Sequence, residues 1–542
     1  MSLSKTIILI FVCLFCHALW AQDTSLIATV ADTANSQVDT MSAAAEIRPD
    51  NINERTFLER VLDNKFLPFF IVIFLGLILL YFPIKLISNS LTNIQNKIGV
   101  SSEVDHAAMY DQNEKRKTYT ATKRVIEILI PITLLGFLLH VAVVDTQMEG
   151  YVKEWLNLLV RWAHVVAGIM WIGASFYFIF LENNLNRTKN IRDELAGNLW
   201  AVHGGGFYFL EKYKVAPKQI PEDLHWFKYE AYFTFITGFA LLVIVYYLNA
   251  TGFLIDPSVY DMSVGTAIGL SIFSIASGWI IYDLLCRSSL IRHQTMFIMI
   301  GLFLLTVYAY FLTQIFNPRA AYLHFGAIIG AIMVGNVFFN IIPAQKAMVR
   351  AAVLGLPLDS SLGVKAGQRS LHNNYFTLPV IFIMISNHFP STFGHPNNWI
   401  ILMVISLASA GIKHYWNLLD RGIVRTKILI ISLLTLIILA YVISPAFEEK
   451  MDLAIPVTFE EANAVIQTRC ISCHSANPTD DEWTKAPNGV MYDTPQEIKN
   501  KVDKIMTRAV RSKNMPLGNK TKMTEEERTI LKRWIIQGAV IE

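Results

Sequence analysis

The chain reads as an all-α protein: a polytopic bundle of about ten transmembrane helices followed by a small helical domain. Three observations point there. Hydrophobic residues make up 53% of the 542, charged residues only 16%, and mean hydropathy is +0.40, whereas soluble domains carry about 25% charged residues. Apolar stretches of about 20 residues, long enough to cross the hydrocarbon as a helix, recur ten times between residues 66 and 445. Residues 457–542 then lose that pattern and carry capped helices. The net charge of +3 gives no reason to expect nucleic acid as a partner.

Residues 1–21 have the form of a signal peptide: Lys5, an apolar stretch from Thr6 to Phe15, and Ala21 before a polar residue. An uncleaved anchor is the alternative. Residues 22–60 are polar and rich in Ala, Thr, Ser and Asp, as in a periplasmic segment without a core. Residues 61–150 are expected to hold two spans, near 66–88 and 125–145. Residues 151–446 are expected to hold eight more, near 154–182, 226–249, 262–285, 293–315, 319–343, 370–390, 398–417 and 425–445. Lysine and arginine concentrate in alternate loops, 89–124, 183–225, 286–292, 344–369 and 418–424. Positive loops stay in the cytoplasm. The mature N-terminus and the C-terminus are therefore both expected in the periplasm of a bacterial inner-membrane protein. After a linker at 447–456, residues 457–542 contain three helix starts, at Thr458, Thr494 and Thr524. Each has glutamate three positions on, the capping-box pattern.

That last segment holds Cys470-Ile471-Ser472-Cys473-His474. C-x-x-C-H is the attachment pattern of covalent c-type haem. Two thiols add to the vinyl groups, and the adjacent histidine ligates the iron. A zinc site or a redox C-x-x-C is the alternative, but zinc would need a second ligand pair that the segment lacks. Methionine is a common second axial ligand. Met515, 41 residues after His474 and just before Pro516, is the candidate, with Met491 as runner-up. The helix before the motif and the final helix are expected to pack together as in class I cytochromes c. Of the five cysteines, Cys13 and Cys16 fall in the signal and Cys286 stands alone, so none is left for a disulfide framework. Periplasmic placement agrees with c-type attachment in that compartment.

The spans carry polar residues that a passive anchor would not need. His164, Gly168, Trp171 and Ser175 share a helical face by their spacing. Gly326 and Gly330 would allow close helix contact, with His324 just before them. By the topology, His140, His164, His324 and His388 lie toward the periplasm, and His203, His225, His293, His372 and His414 toward the cytoplasm. For any one of the thirteen histidines, a hydrogen-bonded packing role competes with ligation. As a group they argue for a redox centre or a polar substrate cavity.

Three longer segments carry a resemblance. Trp200-Ala201-Val202-His203-Gly204-Gly205-Gly206-Phe207-Tyr208, Leu224-His225-Trp226-Phe227-Lys228-Tyr229-Glu230 and Arg369-Ser370-Leu371-His372-Asn373-Asn374-Tyr375 resemble the bacterial membrane-bound, cytochrome c-linked urate oxidase (urate hydroxylase) family. Met515-Pro516-Leu517-Gly518-Asn519 resembles its cytochrome portion. The likeness covers about 151–542; the first 150 residues depart from it. It implies an eight-helix membrane domain joined to a cytochrome c domain. It also implies oxidation of urate to 5-hydroxyisourate with water as oxygen source, and electrons passing to haem c. A downstream soluble cytochrome or terminal oxidase would be the next partner. Urate is a flat anion, so cationic or amide donors and an aromatic platform are expected around it. Phe207, Tyr208, Trp226, Arg369, Asn373, Asn374 and Tyr375 supply those chemistries. His203, Glu230, His372 and Asn373 are the candidate catalytic residues, converging on the cytoplasmic side. The triple glycine is equally readable as a tight turn or a ligand cradle.

A cytoplasmic-side site and a periplasmic haem would be separated by much of a hydrocarbon core of about 30 Å. A haem b held by histidines such as His164 and His324, or a substrate site nearer the periplasm, would close the gap. Two other functions fit the same residues: a quinol-linked respiratory enzyme, and a membrane-tethered c-type electron carrier.

Overall fold

The structure, a computed structural model, describes residues 71–541 apart from 72, 73, 77, 80, 88, 89, 91–105, 144–147, 189, 218, 222, 223, 445–454, 481, 482 and 484. The expected signal peptide, the polar segment 22–60 and most of the linker lie outside the described residues. The chain divides into two compact units, Met1–Val152 and Lys153–Glu542. In the first, α1 (His106–Val143) begins well before the expected span at 125. Lys117–Glu114 and Lys123–Glu127 pairs, three and four residues apart, support that extension. Much of the expected loop 89–124 is therefore helix.

The second unit is built from α2 (Met148–Asn184), α3 (Tyr229–Leu242), α4 (Val264–Arg287), α5 (Gln294–Ile315), α6 (Pro318–Gly335), α7 (Ile342–Val353), α8 (Ser360–Ser386), α9 (Asn398–Leu419) and α10 (Thr426–Val442). Three of their starts are capped by a side chain. Ser263 accepts from the Thr266 amide, Asn317 from Arg319 with Pro318 in the first turn, and Asp359 from Ser361. Among the described residues, seven helices are long and apolar enough to cross a membrane. The other three of the ten expected stretches fall on shorter or more polar helices. Phe74–Ile87 and Thr426–Val442 are apolar but short. The stretch near 370–390 lies on α8, which also carries Lys365, Arg369 and His372.

At the centre stands α6, packed against α3, α4, α5 and α8. Most of its residues are buried, including Tyr322, His324, Phe325 and Ile329. Small residues let its neighbours approach. A Cβ on Gly326 would lie 2.6 Å from Ile383, and one on Gly335 would lie 1.9 Å from the Trp279 ring nitrogen. Gly330, expected to serve the same purpose, faces open space instead. Beyond Gly335 the helix widens into a π turn, Asn336–Ile341, before continuing as α7.

The all-α expectation needs one correction. Between α2 and α3 lies an antiparallel hairpin of β1 (Leu195–His203) and β2 (Gly206–Tyr213). Its two-residue loop is Gly204–Gly205, with φ of 57° and 77°. Positive φ at both positions is what a tight hairpin turn of matching twist requires. The triple glycine is thus a turn. Trp200 pairs with Phe209 and Val202 with Phe207, and all four are exposed.

The C-terminal segment packs α11 (Phe459–Arg469) against α13 (Glu525–Ile536), with the Phe459 and Trp534 rings 5.9 Å apart. All three capping boxes form, the middle one opening α12 (Pro495–Lys499). Ile466, Ile498, Leu531 and Trp534 fill the core. The segment docks on one end of the bundle. Leu517–Asn519 packs on Ala250–Phe253, and Met506–Arg511 on Pro390–Phe393. Gly518 fits there on two counts: its φ is +56°, and a Cβ would meet the Thr251 carbonyl at 2.5 Å.

Gly335→Ala should therefore overpack α6 against Trp279 and cost about 1–3 kcal/mol. Gly330→Ala should leave stability unchanged. Thermal unfolding of the two variants in detergent measures the difference.

Candidate functional site

Helices α4, α5, α6, α8 and α9 line a half-open cavity of about 660 Å³. Its walls are largely leucine, isoleucine and phenylalanine, but polar groups are set among them. Two are tyrosine–histidine pairs. Tyr282 on α4 meets His372 Nδ1 on α8 at 2.8 Å, and Tyr375 on α8 meets His414 Nδ1 on α9 at 2.6 Å. All four side chains line the cavity, together with Gln294 and Gln368. Phe297 stacks on His372 with ring centres 5.3 Å apart.

Behind the first pair lies a buried polar network. Arg369 donates to Asp283 at 2.8 Å and to Asn336 Oδ1 at 3.1 Å. Asn336 Nδ2 donates to Tyr282 at 3.1 Å and to Asn373 Oδ1 at 2.9 Å, and Asn373 donates to the Met333 carbonyl. The Tyr282 oxygen accepts from Asn336 and keeps its own proton to give; where that proton goes to His372 Nδ1, Nε2–H is the donor His372 presents. Asp283 also pairs with Arg287, whose side chain is 63% exposed, so the network runs from the cavity to the surface.

The expected catalytic residues divide. His372 lines the cavity, and Asn373 on the same helix belongs to the network behind it. His203 sits exposed at the hairpin turn, paired with Gly206, and Glu230 occupies the first turn of α3. Among the described residues, no hydrogen bond or ion pair joins either side chain to the cavity network. Arg369 supports Tyr282, over whose ring its guanidinium lies at 5.1 Å. Phe207 and Tyr208 are exposed on the hairpin, away from any platform role in the cavity lining. The expectations passed over Tyr282, Asp283 and Asn336. Asn336 and Asp283 carried a signal, being polar residues within apolar stretches.

The cavity extends along the bundle. Its lining on α5 runs from Gln294 to Tyr308, a rise of about 21 Å. The far end of α5 is the docking end, where the Asn317 amide donates to the Leu254 carbonyl, beside Ala250–Phe253. Near that end the Phe316 and Tyr246 rings flank His324, their centres 4.9 and 5.6 Å from its own. His324 uses both nitrogens, Nδ1 toward the Ala320 carbonyl and Nε2 toward Ser271, each at 2.7 Å. An iron there would have to displace Ser271. His164 Nδ1 lies 3.1 Å from both the Thr234 carbonyl and the Thr237 hydroxyl.

In the C-terminal segment the residues suit a c-type haem. His474 Nδ1 lies 2.9 Å from the Val490 carbonyl, which orients the ring and leaves Nε2 for iron. Burial lowers the His474 pKa and so favours the neutral, ligating ring. Cys470 and Cys473 are free thiols. Burial, with Cys473 alongside, pushes the Cys470 thiol up to about 12. The Met515 amide donates to the Arg508 carbonyl at 3.0 Å, and its carbonyl accepts from Arg528 at 2.8 Å. Met506 and Met523 are spent in the core, while Met515 flanks it.

Fold and site thus define a class: a multi-helix protein with a polar–aromatic cavity among its helices and a docked C-terminal helical segment. A family model described as urate oxidase N-terminal matches residues 150–444, and the chain belongs to that family. No curated protein and no solved structure matches it.

The Asp283–Arg369 pair should dominate the stability of this region. Asp283→Asn leaves a buried guanidinium short of its counter-charge and should cost about 3–5 kcal/mol. Replacing both residues with leucine and methionine should recover most of that. Thermal unfolding of the single and double variants tests it.

Proposed function

We propose that this protein is a membrane-embedded urate oxidoreductase that hands its electrons to a c-type haem in its own C-terminal domain. The observation that carries the reading is the cavity with two tyrosine–histidine pairs inside the segment that matches the urate oxidase family. Urate and water give 5-hydroxyisourate, two protons and two electrons. Water supplies the new oxygen at carbon 5, so a site for this reaction needs proton acceptors and donors to the purine's oxygens and nitrogens.

The two pairs divide that work. His372, held by Tyr282 as the Nε2–H tautomer, donates to the urate anion and orients it. The Tyr375 hydroxyl has freedom to accept from His414 Nδ1–H, which leaves His414 Nε2 as a base. Gln294 and Gln368 offer amide edges to the ring, and Phe297 backs His372. The apolar walls lower the local dielectric and strengthen each of these contacts. Cys470, Cys473, His474 and Met515 would hold the haem, which supplies a one-electron acceptor when bound. The apolar lining also suits a quinol, and family membership favours urate over it.

Purified protein should show urate-dependent reduction of its c haem without oxygen. Unchanged haem absorbance with urate, and reduction by a quinol instead, would replace this reading with the respiratory one. His372→Ala and His414→Ala should each keep their haem content yet slow urate-dependent reduction by about 100-fold, the scale of a positioned acid or base. His203→Ala should behave as wild type. In Cys470→Ala with Cys473→Ala, acid–acetone should extract all the haem; retention in the protein would refute covalent attachment.

A further inference from the structure

We infer that Arg161, Arg319 and Arg508 form an anion site at the junction of the helix bundle and the C-terminal domain, with the donor chemistry for a carboxylate or a similar oxyanion. The three come from separate elements. Arg161 lies on α2, Arg319 in the first turn of α6, and Arg508 in the segment Met506–Arg511 that docks on the bundle. Arg319 lies over the ring of Phe253 at 5.4 Å, and Phe253 belongs to the segment on which the turn Leu517–Asn519 docks. Arg319 is within electrostatic range of both other arginines.

None of the three pairs with a carboxylate among the described residues. Arg161 donates to the neutral Asn157. Arg508 donates to the Asn514 amide oxygen. Arg319 Nε is buried and makes no hydrogen bond. Beside them the Tyr246 hydroxyl, on a residue only 2% exposed, faces Arg319 and Arg161 without a hydrogen bond of good geometry to either. The N-terminal end of α6 adds its own positive partial charge.

The three half-buried guanidinium groups repel one another, and the buried Arg319 Nε and Tyr246 hydroxyl lack the partners that burial demands. An oxyanion would satisfy all of them at once, accepting from the planar forks of the arginines and from Tyr246. Two sources have this chemistry: a haem propionate of the C-terminal domain, or a free anion such as inorganic phosphate. Only the first rests on the haem reading above. Neither depends on urate being the substrate.

The test uses the full-length protein with its haem, comparing wild type with Arg319→Gln, Arg319→Lys and Arg508→Gln. The haem midpoint potential and the unfolding temperature are measured while phosphate replaces chloride at constant ionic strength. With a propionate as occupant, both glutamine variants lower the potential, the lysine variant restores most of it, and phosphate has no effect. With a free anion, phosphate raises the unfolding temperature of wild type and not of Arg319→Gln, and the potential is unchanged. If neither the potential nor the phosphate response differs among the proteins, the site does not exist. Should Arg319→Gln fail to fold, Arg508→Gln and Arg319→Lys carry the same comparisons.

Discussion

The ion pair between Asp283 and Arg369 holds the bundle's polar interior together. Both side chains are more than nine-tenths buried. Placing two charges there costs several kcal/mol each before their attraction and hydrogen bonds offset it. The offset comes from neighbours: Asn336 and Asn340 complete the coordination, and Arg287 shares the carboxylate at the surface. Every link in that set restrains an element. Asp283 belongs to α4, Arg369 to α8, and Asn336 to the π turn after α6. Tyr282 and His372 are held by the same bonds, so the donor in the cavity is oriented by residues that never face it.

The bundle has two ends with different occupations. One carries the hairpin and the surface exit of the polar network. The other carries the docked C-terminal segment. The cavity begins near the first and extends along α5 toward the second. That disposition brings the cavity toward the docked C-terminal segment. Phe316, His324 and Tyr246 pack as rings near that second end.

Much of the fold was legible because its signals are local. Twenty apolar residues in a row announce a helix long enough to cross a membrane, and Thr458, Thr494 and Thr524 announce helix starts by a reciprocal pair of hydrogen bonds each. The haem motif is legible for the same reason, since its three groups lie within five residues. The hairpin was missed although Gly204 and Gly205 sit between alternating aromatic and aliphatic residues, a turn signal outweighed by the helices on either side. The cavity was only half legible. His372 stood out within a long motif. Its partner Tyr282 lies 90 residues earlier, and His414 was one histidine among thirteen. Which of them meet is decided by helix packing around α6, and periodicity within one helix does not encode that. His203 and Glu230 were grouped with His372 on the strength of a shared side of the membrane, which constrains depth and leaves lateral position free.

The π turn at Asn336–Ile341 has a consequence for comparing this chain with its relatives. A π turn accommodates one residue more than the α turn it replaces, so a helix containing one behaves as an α-helix with a single inserted residue. Asn336, at its first position, joins Arg369, Tyr282 and Asn373. A relative lacking the extra residue would align with this chain on either side of the turn, but with a one-residue gap inside an otherwise unbroken apolar run. Gap-free alignment across that point would assign the asparagine's role to a neighbour rotated by about 100° around the helix. Homologues sorted by the presence or absence of that gap would separate those able to build the buried network from those that must orient the cavity tyrosine by other means.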